Sequence, residues 1–439
     1  MNIHRVLKDE IDEENHLLKD TFFTISKESG VGSENRYLEL TDDEYFLYCL
    51  LNSQELSESI NKCLIDHDKM KLCYLLQLYQ LDKSDYKSHL LLLKNNKYLY
   101  LYIERILVDL CFNKDIIDII INNIIVLHNE NYLSLIDCEG KSILMYLCQY
   151  KMNELAIGLI NKFGDKVLPD HLNNHKNTAL IFACYNNMTT VAMKLINKFG
   201  DKVLPSQVNK NESTALIYAC HNKMNSVAIK LIDEFGDLVL PNQSDNHGDT
   251  ALMYGCSSKM NEVAIKMIDK FRDRVLPNQV NNHESTALIY ACKSRMNDVA
   301  IKLINEFGDR VLPSQINIEG NTALMYACDY RMNNVAIKLI DEFGDRVLPD
   351  HINNYENTAL IYACSNKMND VAIKLIDEFG DKVLPYYINS GGYSVLMFAF
   401  FNKMDDVVIK LIEKFGDKVL PKDIEKYPEI KTLYQNYSK

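Results

Sequence analysis

One interval constrains this chain more than any other feature. A hydroxyl residue precedes an apolar run at Ser142, Thr178, Thr214, Thr250, Thr286, Thr322, Thr358 and Ser394, and each step is 36 residues. A fixed period between about 20 and 50 residues marks a solenoid, propeller or array of stacked units. No insertion interrupts the eight copies, so each is expected to meet its neighbours in the same way.

Each copy reads as two short helices. In the copy anchored at Thr214, the hydroxyl can cap free backbone N–H groups, and Ala215 to His221 carry the apolar residues Leu216, Ile217, Ala219 and Cys220. The stretch "NKMN" is a turn, with Asn225 expected as the cap of the second helix. Met224, Val227, Ala228, Leu231, Ile232 and Phe235 then recur at helical spacing along one stripe. Gly236 ends the helix, because glycine tolerates positive φ; Arg272 takes the place of this glycine in one copy. The Pro that closes each copy, from Pro169 to Pro421, predicts an extended connector. An Asx residue five positions before each anchor, from Asp137 to Asn389, favours a turn. Helices this short are marginal alone in water, so the copies must bury their stripes against one another.

The chain has 12 cysteines, but seven of them, Cys148, Cys184, Cys220, Cys256, Cys292, Cys328 and Cys364, share one position of the repeat. Equivalent helices of stacked copies lie roughly 8–10 Å apart, beyond the ~7 Å that a disulfide spans. Four thiolates cannot converge on zinc from such layers, and the expectation is buried small side chains in a reducing, intracellular compartment. A net charge of -12 argues against a general nucleic-acid binder. No export signal is visible at the start, and the most apolar run, "IIDIIINNIIVL" from Ile116, is broken by Asp118, Asn122 and Asn123, so no membrane span is expected.

The lines T-A-L-I-Y-A-C and V-A-I-K-L-I resemble the ankyrin repeat, a turn followed by T-P-L-H-x-A and a second helix. Gly140, Gly248, Gly320 and Gly392 fall where that family carries the glycine of its hairpin, and the Asx series falls on its hairpin Asp. The resemblance covers roughly Leu135 to Pro421. It departs in period, 36 against 33, with the extra length in the "FGDKVLP" connector. It departs too where Ile181, Ile217 or Met253 replaces the family's His, which removes that residue's polar network and leaves the hairpin geometry open. With its Asn-, Lys-, Ile- and Tyr-rich composition, the chain also resembles divergent ankyrin-repeat proteins of amoeba-infecting giant DNA viruses. The resemblance implies an all-α ankyrin-type solenoid and protein–protein recognition.

The expected organisation is an acidic, flexible lead (1–35), a helical N-terminal region (36–133) that caps the array or docks separately, eight repeats (134–425) and a C-terminal tail (426–439). In the last copy the cysteine becomes Phe400, among Tyr386, Tyr387, Tyr393, Phe398 and Phe401; an atypical terminal cap and an aromatic docking patch are both open readings.

No catalytic constellation is found. "GVG" at Gly30 lacks the spacing and Lys of a phosphate loop. His171 and His175 lie in a connector rather than on a helix face. The lysines of the second helices, such as Lys230 and Lys302, read as a solvated outer face. The tyrosines Tyr146, Tyr218, Tyr254, Tyr290, Tyr326 and Tyr362 read as packing between copies. Against this uniform background a few positions vary: Tyr150, Tyr185, His221, Lys293, Asp329, Tyr330, Tyr355 and Phe401. They fall where ankyrin repeats present their binding surface and are the candidate partner-binding residues. Drift at tolerant sites is the alternative. The expectation is a non-enzymatic scaffold without cofactor or metal, binding a protein partner, a host protein in the viral reading, in the host-cell cytoplasm, and neither nucleic acid nor membrane. An adaptor whose N-terminal region recruits other machinery, or a plain spacer, are the other readings.

Overall fold

The computed structural model describes Phe112, Ile117, Ile120, Ile121, Ile124, residues 130–420 and residues 427–437. The expected acidic lead and most of the expected helical N-terminal region lie outside the described residues. The chain divides into two compact units, 1–146 with 166–168, and 147–165 with 169–439. In the first, Ile117, Ile120, Ile121 and Ile124 are buried helical residues. The Asp137 carboxylate accepts from the backbone N–H of Phe112 at 3.0 Å, and also from those of Glu139 and Lys141.

The second unit is an all-α solenoid of helix-turn-helix repeats. A seven-residue first helix, such as Ala215–His221, and an eleven-residue second helix, such as Asn225–Phe235, alternate down to Val395–Phe401 and Asp405–Phe415. Among the described residues, extended pairing is limited to isolated bridges such as Ser244 with Thr250. The hydroxyl anchors cap as expected: Thr214 Oγ1 accepts the N–H of Ile217 at 3.2 Å with the residue itself extended, φ -102 and ψ 169. The same bond recurs from Ser142 to Ser394, each stabilising by about 1 kcal/mol.

The second helices start differently from expectation. Asn225 is the first helical residue, and the residue before it, Met224, makes no side-chain cap. Met224 is instead buried in the core, while Asn225 N–H bonds back to Lys223 O at 3.0 Å. Burial of an apolar side chain therefore fixes this entry, and no polar cap is needed.

The connector is not extended either. Gly236 has φ 51 and ψ -126 and opens a single 3-10 turn, Gly236–Val239, which buries Val239. Leu240 then adopts a left-handed conformation, φ 50 and ψ 68, and its carbonyl accepts the N–H of Gln243.

Three sets of bonds tie copy to copy. Side-chain amides seal the open C-termini of the preceding first helices: Asn222 Nδ2 donates to Cys184 O and Tyr185 O, each at 2.9 Å, and Asn402 donates to Cys364 O and Ser365 O. Hairpin tips are linked through the backbone, as in Asn246 N–H to Asn211 O at 3.2 Å and Asn282 N–H to His247 O at 2.9 Å. Lysines of the expected outer face pair with acids one copy back, Lys302 with Asp269 at 2.6 Å and Lys374 with Asp341 at 2.5 Å. A parallel row joins the connectors, Arg310 to Asp273 and Lys382 to Asp345. These pairs are solvent-accessible, and each contributes at most about 1 kcal/mol.

The expected C-terminal tail contains a helix, Pro428–Tyr437, which packs on Asp405–Phe415 and buries Ile430. The ring of Tyr427 meets Phe401 edge-on at 6.3 Å. The array therefore ends under a covering helix.

Arg272 holds φ 47 and ψ -125, as the glycines at this position do. A Cβ at the equivalent Gly236 or Gly308 meets nothing within 4 Å, so the strain at Arg272 is in the backbone itself. Replacement Arg272→Gly is expected to raise stability by about 1 kcal/mol, read as a shift of the denaturant midpoint; an unchanged or lower midpoint would refute the strain.

Candidate functional site

The hairpin of each copy is organised by its Asx residue. Asn281 Oδ1 accepts the N–H groups of His283 and Ser285, each at 3.0 Å, and its Nδ2 donates to Asp249 Oδ1 of the preceding copy at 2.6 Å and to Tyr290 Oη at 2.9 Å. The tyrosine series thus does more than pack. Its hydroxyls bond the Asx residue nine positions earlier, at Asn209, Asn317 and Asn353 as well, while at Asp245 the direction reverses and Tyr254 donates at 2.8 Å. This bond fastens hairpin to first helix and supplies the polar organisation left open when the family's His is absent. The copy starting at Asn173 has Phe182 at the tyrosine position, and Asn173 Nδ2 is buried with no partner. Leaving a buried donor unpaired costs about 1–3 kcal/mol. Phe182→Tyr is therefore expected to stabilise by about 1 kcal/mol and Tyr290→Phe to destabilise by a similar amount, checked by denaturant unfolding.

The rigid hairpins and first helices carry the variable positions. Tyr150, Tyr185, Tyr355 and Phe401 are 52–60% exposed, as is Ile318 at 53%, while the stripe residues beneath them are buried. His221 is also exposed, while Lys293, Asp329 and Tyr330 are intermediate. Two local groups form among them. Lys293 Nζ lies 2.8 Å from Glu319 Oε1 and 5.6 Å from the centre of the Tyr326 ring. The Tyr326 ring stacks on Tyr330 at 6.0 Å, and Arg295 covers Tyr330 at 4.8 Å. Burial alone would depress the Lys293 pKa, but the Glu319 hydrogen bond and Tyr326 outweigh it and raise it, while the Lys293 hydrogen bond holds Glu319 below the usual carboxylate range.

The second group surrounds a cleft of about 260 Å³ that includes Tyr185 and His221. Tyr185 meets Tyr218 edge-on at 5.2 Å, and His221 meets Tyr254 edge-on at 5.0 Å. Asp245 and His247 also line the cleft. Sequence reasoning named Tyr185 and His221, and His247 as a variable hairpin position, but took Tyr218, Asp245 and Tyr254 for scaffold. Tyr218 and His221 are three residues apart on one helix, so they share a face; that spacing is the signal that was available.

The seven equivalent cysteines are buried and free of disulfides. Burial pushes the thiols of Cys148, Cys220 and Cys292 up to about 12 and raises those of Cys184, Cys256, Cys328 and Cys364 as well. A raised thiol pKa removes thiolate at neutral pH, so these seven are expected to resist alkylation at pH 8 until the array unfolds. Peptide mapping after iodoacetamide treatment checks this; labelling of Cys220 in the folded protein would contradict it. Among the described residues no group of three or more His, Cys, Asp and Glu could hold a metal ion, and no helix is long and apolar enough to cross a membrane.

Residues 264–350 match the family model of ankyrin repeats in three copies. This stretch of the array carries ankyrin repeats. No curated protein matches the chain. Among solved structures, the ankyrin repeat domain of Bcl-3 is 20% identical, with 53% of this chain and 98% of that one covered and a TM-score of 0.37. The human ASB11 ankyrin repeat domain is 17% identical, with 55% and 99% covered and a TM-score of 0.39. A predatory endopeptidase of Bdellovibrio bacteriovorus in complex with an immunity protein is 23% identical over 46% and 99%, with a TM-score of 0.36.

Proposed function

We propose that the ankyrin-type array is a non-enzymatic recognition scaffold that grips a protein partner along its variable first-helix ends and hairpin edge. One observation carries this reading. On a background repeated nearly residue for residue, large side chains that a solenoid has no folding reason to expose, Tyr150, Tyr185, Tyr355 and Phe401, stand in solvent. Exposed aromatic residues are the usual anchors of an interface. The scaffold beneath them is already held by caps, amide bonds and buried stripes, so little ordering entropy is lost on binding. Ankyrin repeats generally serve protein–protein recognition. The finer reading is that the partner is a host protein met in the host cytoplasm.

Crosslinking pull-down from the native cell tests this with two variants. Alanine at Tyr185, His221, Lys293, Asp329 and Phe401 together is expected to lose the partner while keeping the wild-type helical circular dichroism. Alanine at the outer lysines Lys266, Lys302 and Lys374 is expected to keep it. Retention by the first variant, or equal loss by both, would overturn the proposal.

A further inference from the structure

The repeat offers an internal comparison between two equivalent places. His221, His247 and Tyr254 around the cleft correspond, two copies further along, to Lys293, Glu319 and Tyr326. At the later place the protein supplies its own cation: the Lys293 ammonium lies 5.6 Å from the Tyr326 ring centre and pairs with Glu319. At the earlier place the ring of Tyr254 is kept, but neither lysine nor arginine lines the cleft. The acid is kept too, moved from the hairpin tip to its root, where Asp245 replaces Asn317.

The electrostatics of the cleft favour positive charge. Asp245 accepts the Tyr254 hydroxyl at 2.8 Å, and the charge of Asp249 also acts on that hydroxyl. Burial first, and then the Asp245 hydrogen bond, drives the Tyr254 pKa upward, with the charges of Asp245 and Asp249 adding to it. A carboxylate that lines the cleft and accepts the ring's hydroxyl adds negative charge to the attraction of the ring face for a cation. Tyr185, 58% exposed and edge-on to Tyr218, adds a second aromatic wall.

We propose that this cleft takes an exposed lysine or arginine side chain of a protein partner, bound beside His221, whose ring meets Tyr254 edge-on where Lys293 lies over Tyr326 two copies away. The inference rests on the recognition reading above and names the chemistry of the partner residue.

The test uses the full chain and short glycine peptides with a single central Arg, Lys, Gln or Glu, titrated by saturation-transfer NMR. Transfer to the side-chain methylenes of the Arg or the Lys peptide, and none to Gln or Glu, is expected. His221→Lys installs the protein's own cation and is expected to weaken binding about tenfold; Tyr185→Ala is expected to weaken it about threefold. Ser257→Lys adds the same charge at the same helix position one copy along and is expected to change affinity less than about twofold. Binding of the Gln peptide as tight as that of the Arg and Lys peptides, or equal weakening by His221→Lys and Ser257→Lys, would overturn the proposal. So would absence of binding by either cationic peptide. Because the peptides need no native partner, that failure is separable from the failure of the recognition reading, which the pull-down alone decides.

Discussion

No copy in this array can satisfy itself, and the structure depends on that fact. A seven-residue helix leaves its last carbonyls open, and a helix of this length is not stable by propensity. The next copy provides what is missing. Asn222 bonds the open carbonyls at Cys184 and Tyr185, and the apolar stripe through Val227, Leu231 and Ile232 is buried. The clearest sign of this dependence lies in two identical segments. "GDKVLP" occurs at 380–385 and again at 416–421. In the first, Leu384 is left-handed, φ 50 and ψ 57; in the last copy Leu420 is extended, φ -71 and ψ 137. Identical six-residue sequence with opposite φ shows that these residues alone do not impose the left-handed leucine. Such a conformation costs about 1–3 kcal/mol, which the buried Val383 and the packing beyond it offset.

The Asx–Tyr bond shows how a repeat can change its polar wiring and keep its shape. Asn and Asp serve equally at the hairpin root, because the tyrosine hydroxyl accepts from an amide at Asn281 and donates to a carboxylate at Asp245. Where the tyrosine becomes phenylalanine, the result depends on the neighbour. Asn389, with Phe398 nine positions on, still donates to Asn357 Oδ1 at 3.0 Å. Asn173, with Phe182, has no such acceptor. A hydroxyl rotor that can donate or accept tolerates drift between Asn and Asp.

The helix pairs, their hydroxyl caps and the buried cysteines were legible because each follows from a local rule repeated in eight copies, or seven for the cysteine. The capping role given to Asn225 failed because Met224 is buried there, a tertiary fact that outweighs cap preference. The connector was misread as extended because proline fixes its own φ and restricts the residue before it, yet the segment closes a 3-10 turn that buries Val239, and the same turn forms in the last copy at Gly416–Val419. Of the candidate site, the exposed residues were legible as departures from the period. Their partners were not, because Tyr218 and Tyr254 belong to the constant set and look like scaffold. Only coordinates show that a constant ring and a variable side chain meet edge-on across neighbouring copies.

That mixture of constant and variable residues gives the array its chemical range. A ring held at one place by a hydrogen bond to the hairpin, as in Tyr218, Tyr254, Tyr290, Tyr326 and Tyr362, is a fixed π-surface. What stands over it is set by one residue at the end of the helix. With Lys293 the surface is occupied from within and joined to Glu319; with His221 an imidazole meets it edge-on, and the pair lines a cleft together with Asp245. Neither substitution alters the buried stripe, so both are nearly free of folding consequence. Recognition and stability therefore draw on different residues of the same helix, and the first can change while the second stays fixed.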